Sequence, residues 1–243
     1  MKRLFSLLLC LLLLTGCTAA PLADGDSASD GTYTPEGAAD IQAIHVEWVS
    51  GKVEVVPYDG DVVTFSETAE KSIPQKKALV WHQKNGTLTI EFCKKLAINA
   101  VDFSKDLTVY VPRDLELHVL EAENVSGNIG VRELSIRELV LSNVSGNIVT
   151  EDVSVSRQAD LENVSGNIDA QLSGDLKTLE VENVSGDSML RLPDCPGFTL
   201  ELDKVSGDFH CDLPITGSDD RWVYGNGSLQ IEADMVSSSL TIS

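Results

Sequence analysis

The chain has 243 residues, with 38 Asp and Glu against 18 Lys and Arg, a net charge of −20. So acidic a balance argues against nucleic acid or an anionic lipid surface as a direct partner, since both are held by clustered cations. The histidines His45, His82, His118 and His210 form no H-x-x-x-H pair and the cysteines no C-x-x-C, so zinc and redox-dithiol spacings are absent.

Met1-Lys2-Arg3 is a short basic region, and Leu4–Leu14 is an almost unbroken apolar run too short to span a bilayer. The run ends in Leu14-Thr15-Gly16-Cys17, which resembles the bacterial lipobox. That resemblance implies a lipoprotein signal peptide over 1–16, cleavage after Gly16, and a diacylglyceryl group on Cys17. The membrane is then a partner through the lipid on Cys17, on the outer, extracytoplasmic face of the cell membrane. A plain secretory signal cut near Ala19 or Ala20 is the alternative. Two acyl chains anchor stably where one does not. Loss of Lys2 and Arg3 with the signal takes the charge from −20 to −22. Residues 17–40 are the lipidated cysteine and a tether of Ala, Ser, Asp, Gly and Pro, too poor in large apolar residues to fold.

Three cysteines remain after processing: Cys93, Cys195 and Cys211. An odd number argues against a complete disulfide framework. Aligning the repeats places Cys211 over Leu190 and Cys195 five residues beyond, too far for a bridge, so Cys211 reads as a buried free thiol. The N-x-[ST] triplets at Asn85, Asn124, Asn143, Asn163, Asn183 and Asn226 are read as structural.

The folded part spans 41–243. Over 41–115 the strands are irregular. Ile44, Val46 and Trp48 alternate with polar residues, and Val49-Ser50-Gly51-Lys52-Val53 is an early, isolated copy of the glycine corner that recurs further along the chain. Ala78–Gln83 and Thr87–Phe92 flank Asn85-Gly86, a hairpin signal, and Leu107–Pro112 alternates again. Nine of the sixteen Lys and Arg that follow the signal lie between Lys52 and Arg113, so the acidity belongs to the repeats.

Over 116–243 one phrase returns: NVSGNI at Asn124–Ile129, Asn143–Ile148 and Asn163–Ile168, then NVSGDS at Asn183–Ser188 and KVSGDF at Lys204–Phe209. Ser126, Ser145, Ser165, Ser185 and Ser206 are 19, 20, 20 and 21 residues apart, the period of a solenoid whose units bury their apolar faces on one another. Leu120, Leu139, Ala159, Leu179 and Leu200 form one inward column. Ala122, Leu141, Leu161, Val181 and Leu202 form a second, and Ile129, Ile148, Ile168, Ser188 and Phe209 a third. Gly127, Gly146, Gly166, Gly186 and Gly207 permit the corner backbone. Asn124, Asn143, Asn163 and Asn183 form an amide ladder up the stack. Five copies of one serine with no histidine at a recurring offset are corner residues, not nucleophiles. A last glycine corner is expected at Tyr224–Gly227, with Val236–Ile242 ending the stack as an uncapped edge.

The strand before each corner turns Glu121, Glu123, Val140, Ser142, Asp160, Glu162, Glu180, Glu182, Glu201 and Asp203 outward. Eight of these ten are carboxylates, either a solubilising face or a ladder bridged by Ca²⁺, which takes oxygen ligands at flexible sites. No other cofactor is implied.

The L-x-V-x-V-P strand, the serial N-V-S-G-[ND]-I corners and the G-N-G-S…V-S-S-S-L ending resemble the bacterial putative-adhesin domain family over 41–243. The resemblance implies an all-β, single-stranded β-helix or β-roll-like solenoid of about 20 residues per turn in the cell envelope. It implies no catalytic residues, and in some relatives a part in envelope-stress signalling. Three functions follow: a non-catalytic surface module binding a protein or glycan through its flank or open last strand, an envelope-stress sensor, or a carbohydrate-active β-helix enzyme.

Overall fold

The computed structural model describes residues 32–35, 40–93 and 103–243. The expected signal, Cys17 and most of the tether lie outside these residues. Among the described residues the chain is all-β. Its first strands are β1 (Thr32–Tyr33), β2 (Ala43–Ser50), β3 (Val53–Tyr58), β4 (Thr64–Thr68), β5 (Val80–Lys84), β6 (Thr87–Glu91) and β7 (Asp106–Pro112). Then come β8 (Glu116–Ser126), β9 (Ile129–Arg132), β10 (Ser135–Ser145), β11 (Ile148–Ser165), β12 (Ile168–Ser173) and β13 (Thr178–Arg191). The last are β14 (Gly197–Ser206), β15 (Phe209–Cys211), β16 (Thr216–Ser218), β17 (Arg221–Gly225) and β18 (Leu229–Ile242).

These strands make a β-solenoid-like stack. On the face before the corner the neighbours run β5, β6, β2, β8, β10, β11, β13, β18, β14, β17, β16. After the corner they run β1, β4, β7, β3, β9, β11, β12, β13, β18, β15. The pairings are parallel within the stack and antiparallel only at its ends. The repeat corners lie in register, Asn124 against Asn143, Asn143 against Asn163 and Asn163 against Asn183.

Period-2 alternation builds the core. Ile44, Leu120, Leu139, Ala159, Leu179, Ile231 and Leu200 form one buried column, and Val46, Ala122, Leu141, Leu161, Val181, Ala233 and Leu202 the next. Each inward side chain packs on equivalents one strand spacing away, about 4.8 Å. Neither end of the stack is bare. At the start, Tyr33 stacks on Phe65, Phe65 meets Trp81 edge-on, and β4 and β5 run antiparallel along the edges. At the far end the β16–β17 hairpin lies outside β14, with Trp222 against Phe209.

Four expectations change. The strands over 41–115 are not a separate irregular prelude: β2, β3, β6 and β7 are tiers of the same stack, and β2 lies directly on β8 with Ser50 opposite Ser126. The tether is not all spacer, because Thr32 and Tyr33 pair with Ser66 and Phe65. Tyr224–Gly227 is not a corner of the stack. Here β17 runs back along β14, and the chain crosses beneath the start of β14, where Asn226 N donates to Pro196 O at 3.2 Å. That crossing requires glycine, since a Cβ on Gly197 would lie 2.3 Å from Asn226 N and one on Gly225 2.1 Å from Pro196 O.

The fourth change matters most. β18 is not an uncapped edge, because it fills the slot between β13 and β14, pairing Asn183 with Met235 on one side and Met235 with Lys204 on the other. The fifth repeat is therefore the sixth in space counted from β8. Cys211 lies against Ile242 rather than over Leu190 and is half-buried, while Cys93 is the fully buried thiol; the three described cysteines are unbridged.

Candidate binding surface

The corner is where sequence dictates geometry most tightly. Gly127, Gly146, Gly166 and Gly186 have φ between 130° and 133°, a region L side chains rarely enter. A Cβ on any of them would lie 2.1 or 2.2 Å from the carbonyl oxygen of the corner beneath. That oxygen is an acceptor. Asn124 Nδ2 donates to Gly51 O, Asn143 to Gly127 O, Asn163 to Gly146 O and Asn183 to Gly166 O, at 2.9, 2.9, 3.0 and 3.3 Å.

The ladder thus runs from each side-chain amide to a corner carbonyl that the turn would otherwise strand. Its Oδ1 atoms have no partner among the described residues. Trp48 holds the same column one tier earlier, and its Nε1–H donates to Lys105 O at 2.8 Å. A second ladder runs outside the first, in which Asn128, Asn147 and Asn167 Oδ1 accept from the next tier's backbone N–H at 2.9 to 3.0 Å. Ser126, Ser145, Ser165, Ser185 and Ser206 are exposed beside it.

At the first tiers Lys105 and Glu67 form a buried ion pair, 2.5 Å apart. Lys105 Nζ lies 5.0 Å from the Trp48 ring centre and 4.6 Å from that of Phe92. Glu67 also accepts from Leu79 N and Tyr33 Oη. Burial lowers the Lys105 pKa against the pull of Glu67, and burial with Glu67 raises Tyr33 to about 12. The residues are fully used in holding β1, β4 and β7 together.

The outward face of the strand before the corner is a broad, largely acidic surface among the described residues. Register places His45, Glu121, Val140, Asp160, Glu180, Glu232 and Glu201 in one column. Glu91, Glu47, Glu123, Ser142, Glu162, Glu182, Asp234 and Asp203 form the adjacent one. The eight predicted acids therefore do share a face, and β18 inserts Glu232 and Asp234 among them. His45 pairs with Glu121 at one end (3.5 Å) and Arg221 with Glu201 at the other (3.1 Å).

Between these ends the acids crowd. Burial, then the charges of Glu162 and Glu180, raises Asp160 to about 7, and burial, then Glu162 and Asp234, raises Glu182 to about 7. Glu123 and Glu162 are raised by the same causes, burial first. The next outward column is apolar: Val125 and Val205 are 41% and 75% exposed, and Val49, Val144, Val164, Val184 and Val236 are half-buried.

For calcium, each strand offers at most one carboxylate per column in a straight row, and β10 none, whereas the ion takes six to eight convergent oxygens. Among the described residues no group of three or more His, Cys, Asp or Glu is placed to hold a metal ion. Sequence reading missed Glu47, Glu91, Glu232 and Asp234. Ile231-Glu232-Ala233-Asp234 has the same alternation as Ala159-Asp160-Leu161-Glu162, so the signal was present, but its place in the stack was not.

The family profile described as Toastrack DUF4097 matches residues 41–159 and again 152–243. No curated protein matches the sequence. Among solved structures, a putative cell adhesion protein from Clostridium sporogenes superposes with a TM-score of 0.56 at 13% identity, covering 87% of this chain and 96% of that one. A putative adhesin from Bacteroides fragilis gives a TM-score of 0.39 at 8% identity, covering 87% and 95%.

Proposed function

Because the chain belongs to the Toastrack DUF4097 family, we propose that it is a non-catalytic binding module displayed at the bacterial cell surface. In this reading Cys17 carries the lipid anchor, residues up to Thr32 form the spacer, and a turn of about 20 residues is the repeating unit of a single-chain β-solenoid. The partner, a protein or glycan, docks on the flank made by the strands before the corner. The observation that carries this is the continuous outward face from β2 to β14, with its acidic columns and valine column. The structural likeness to a protein named for cell adhesion supports it. The catalytic alternative needs acids gathered in a groove, and these lie in open rows.

A photocrosslinking residue at Ser142 or Val164, in the middle of that face, tests the reading on living cells. We expect one discrete adduct from these positions and none from Met189, exposed on the face after the corner. Adducts from neither face position, or equally from Met189, would refute the docking surface. Replacing Cys17 with Ala should move the protein from membrane to soluble fraction.

A further inference from the structure

Residues 193–227 are an excursion. The stack passes from β13 to β18, and β14, β15, β16 and β17 all lie beyond β18. Among the strand pairings, only those to β18 tie this unit to the rest. Both ends of the excursion meet at the crossing of Pro196–Gly197 with Gly225–Asn226.

Two features set its seam apart from the others. The inner ladder of side-chain donors stops there: the Met235 side chain has no N–H or O–H to give, and Lys204 Nζ turns to its own corner at Gly207 O, 3.0 Å away, leaving Ser206 Oγ to Val236 O (3.0 Å) and Asp208 N to Ser239 Oγ (3.4 Å) to cross the seam. Burial is thin. β14 buries Phe198, Thr199, Leu200 and Leu202, but Asp203–Asp208 are exposed, and β15, β16 and β17 contain no fully buried residue. Like charges face each other across this seam as they do across the β11–β13 and β13–β18 pairings, here Glu201 opposite Glu232 and Asp203 opposite Asp234. The unit brings few cations to that face, Arg221 being paired with Glu201.

We propose that β14–β17 is a removable cap that undocks from β18 as one unit. The edge of β18 beneath it is then a concealed pairing surface for an extended polypeptide. In the closed chain β18 has neighbours on both sides. Opening leaves the β14-facing backbone groups of Leu229–Met235 unpaired while β13 still holds the other edge, with Leu229, Ile231 and Ala233 facing the exposed end of the core. An incoming segment would pair parallel, with alternating apolar residues, as β14 does.

Hydrogen exchange on the full chain at neutral pH, corrected for intrinsic rates, tests the opening. Amides over 198–225 should exchange together, about tenfold or more faster than those over 116–191. Glu232→Gln should slow that exchange about fourfold, the repulsion of one pair a strand spacing apart in water. Glu232→Lys should slow it further. A labelled synthetic peptide of sequence 197–211 should bind the wild-type chain saturably, and Glu232→Lys more slowly. Equal protection of 198–225 and 116–191, indifference of the exchange to both substitutions, or no binding of the peptide would overturn the proposal.

Discussion

Replacing Gly146 with Ala probes the stack at its tightest contact. The new Cβ would lie 2.2 Å from Gly127 O and 2.6 Å from its carbon, on backbone at φ 130°. Relief requires the two tiers to part by roughly an ångström, since real Cβ contacts essentially stop at 3.0 Å. That movement breaks the Asn143 Nδ2 bond to Gly127 O (2.9 Å) and stretches Gly127 N to Ser145 O (2.8 Å). Two hydrogen bonds at about 1 kcal/mol each and φ strain of about 1–3 kcal/mol give a loss of about 3–5 kcal/mol. Against a domain stability of about 5–15 kcal/mol this is a large fraction. Urea unfolding measures it. Gly130→Ala is the control, because its Cβ would meet only the flexible Glu54 carboxylate at 2.9 Å, and its cost should stay below about 1 kcal/mol. A Gly146→Ala loss no larger than the control's would refute the stacking geometry.

Two further outcomes follow from the ladders and the acids. Trp48→Phe keeps an aromatic ring but leaves Lys105 O without its donor, and Asn163→Ala does the same to Gly146 O. Each should cost about 1–3 kcal/mol by denaturant unfolding, the penalty of a stranded buried carbonyl. Asp160 and Glu182 stand at about 7 in the folded chain against ordinary values of 3.8 and 4.5. The folded state thus binds more protons than the unfolded one across that interval. Their contribution to stability is greatest below about pH 4, declines as pH rises, and is level above about pH 7. The melting temperature of Asp160→Asn/Glu182→Gln should exceed the wild type's at pH 7.5 and show a flatter profile from pH 5; a steeper profile would contradict the assignment.

The repeating corner was legible because its chemistry is local. Glycine at a positive φ and an asparagine three residues before it are visible in any copy of Asn-Val-Ser-Gly. The tiers over 41–115 were harder to see, because they meet the same need with different groups. An indole N–H at Trp48 does the work of an amide, and the Lys105 carbonyl stands where other tiers have glycine's. The order of the last two tiers was not legible at all. Lys204-Val-Ser-Gly207 follows Gly186 at the right interval, whereas Ser238 lies 52 residues after it. Both segments carry the same alternation, so pattern and period favour the nearer one. The outcome is decided by non-local pairing: β17 folds back on β14, and the Gly197–Gly225 crossing sends β18 to the inner side.

Threading of the last strand into the stack is the claim on which the acid columns and the cap both rest. Exposed serines test it directly, because Ser185 is in register with Ser237 and Ser237 with Ser206. Cysteine pairs at these sites, oxidised in the intact chain and read by peptide mass, distinguish the two orders. Adjacent strands lie about 4.8 Å apart, within disulfide reach, and strands one further away do not. The account predicts rapid bridging in Ser185→Cys/Ser237→Cys and none in Ser185→Cys/Ser206→Cys. The reverse result would place β14 against β13 and contradict it.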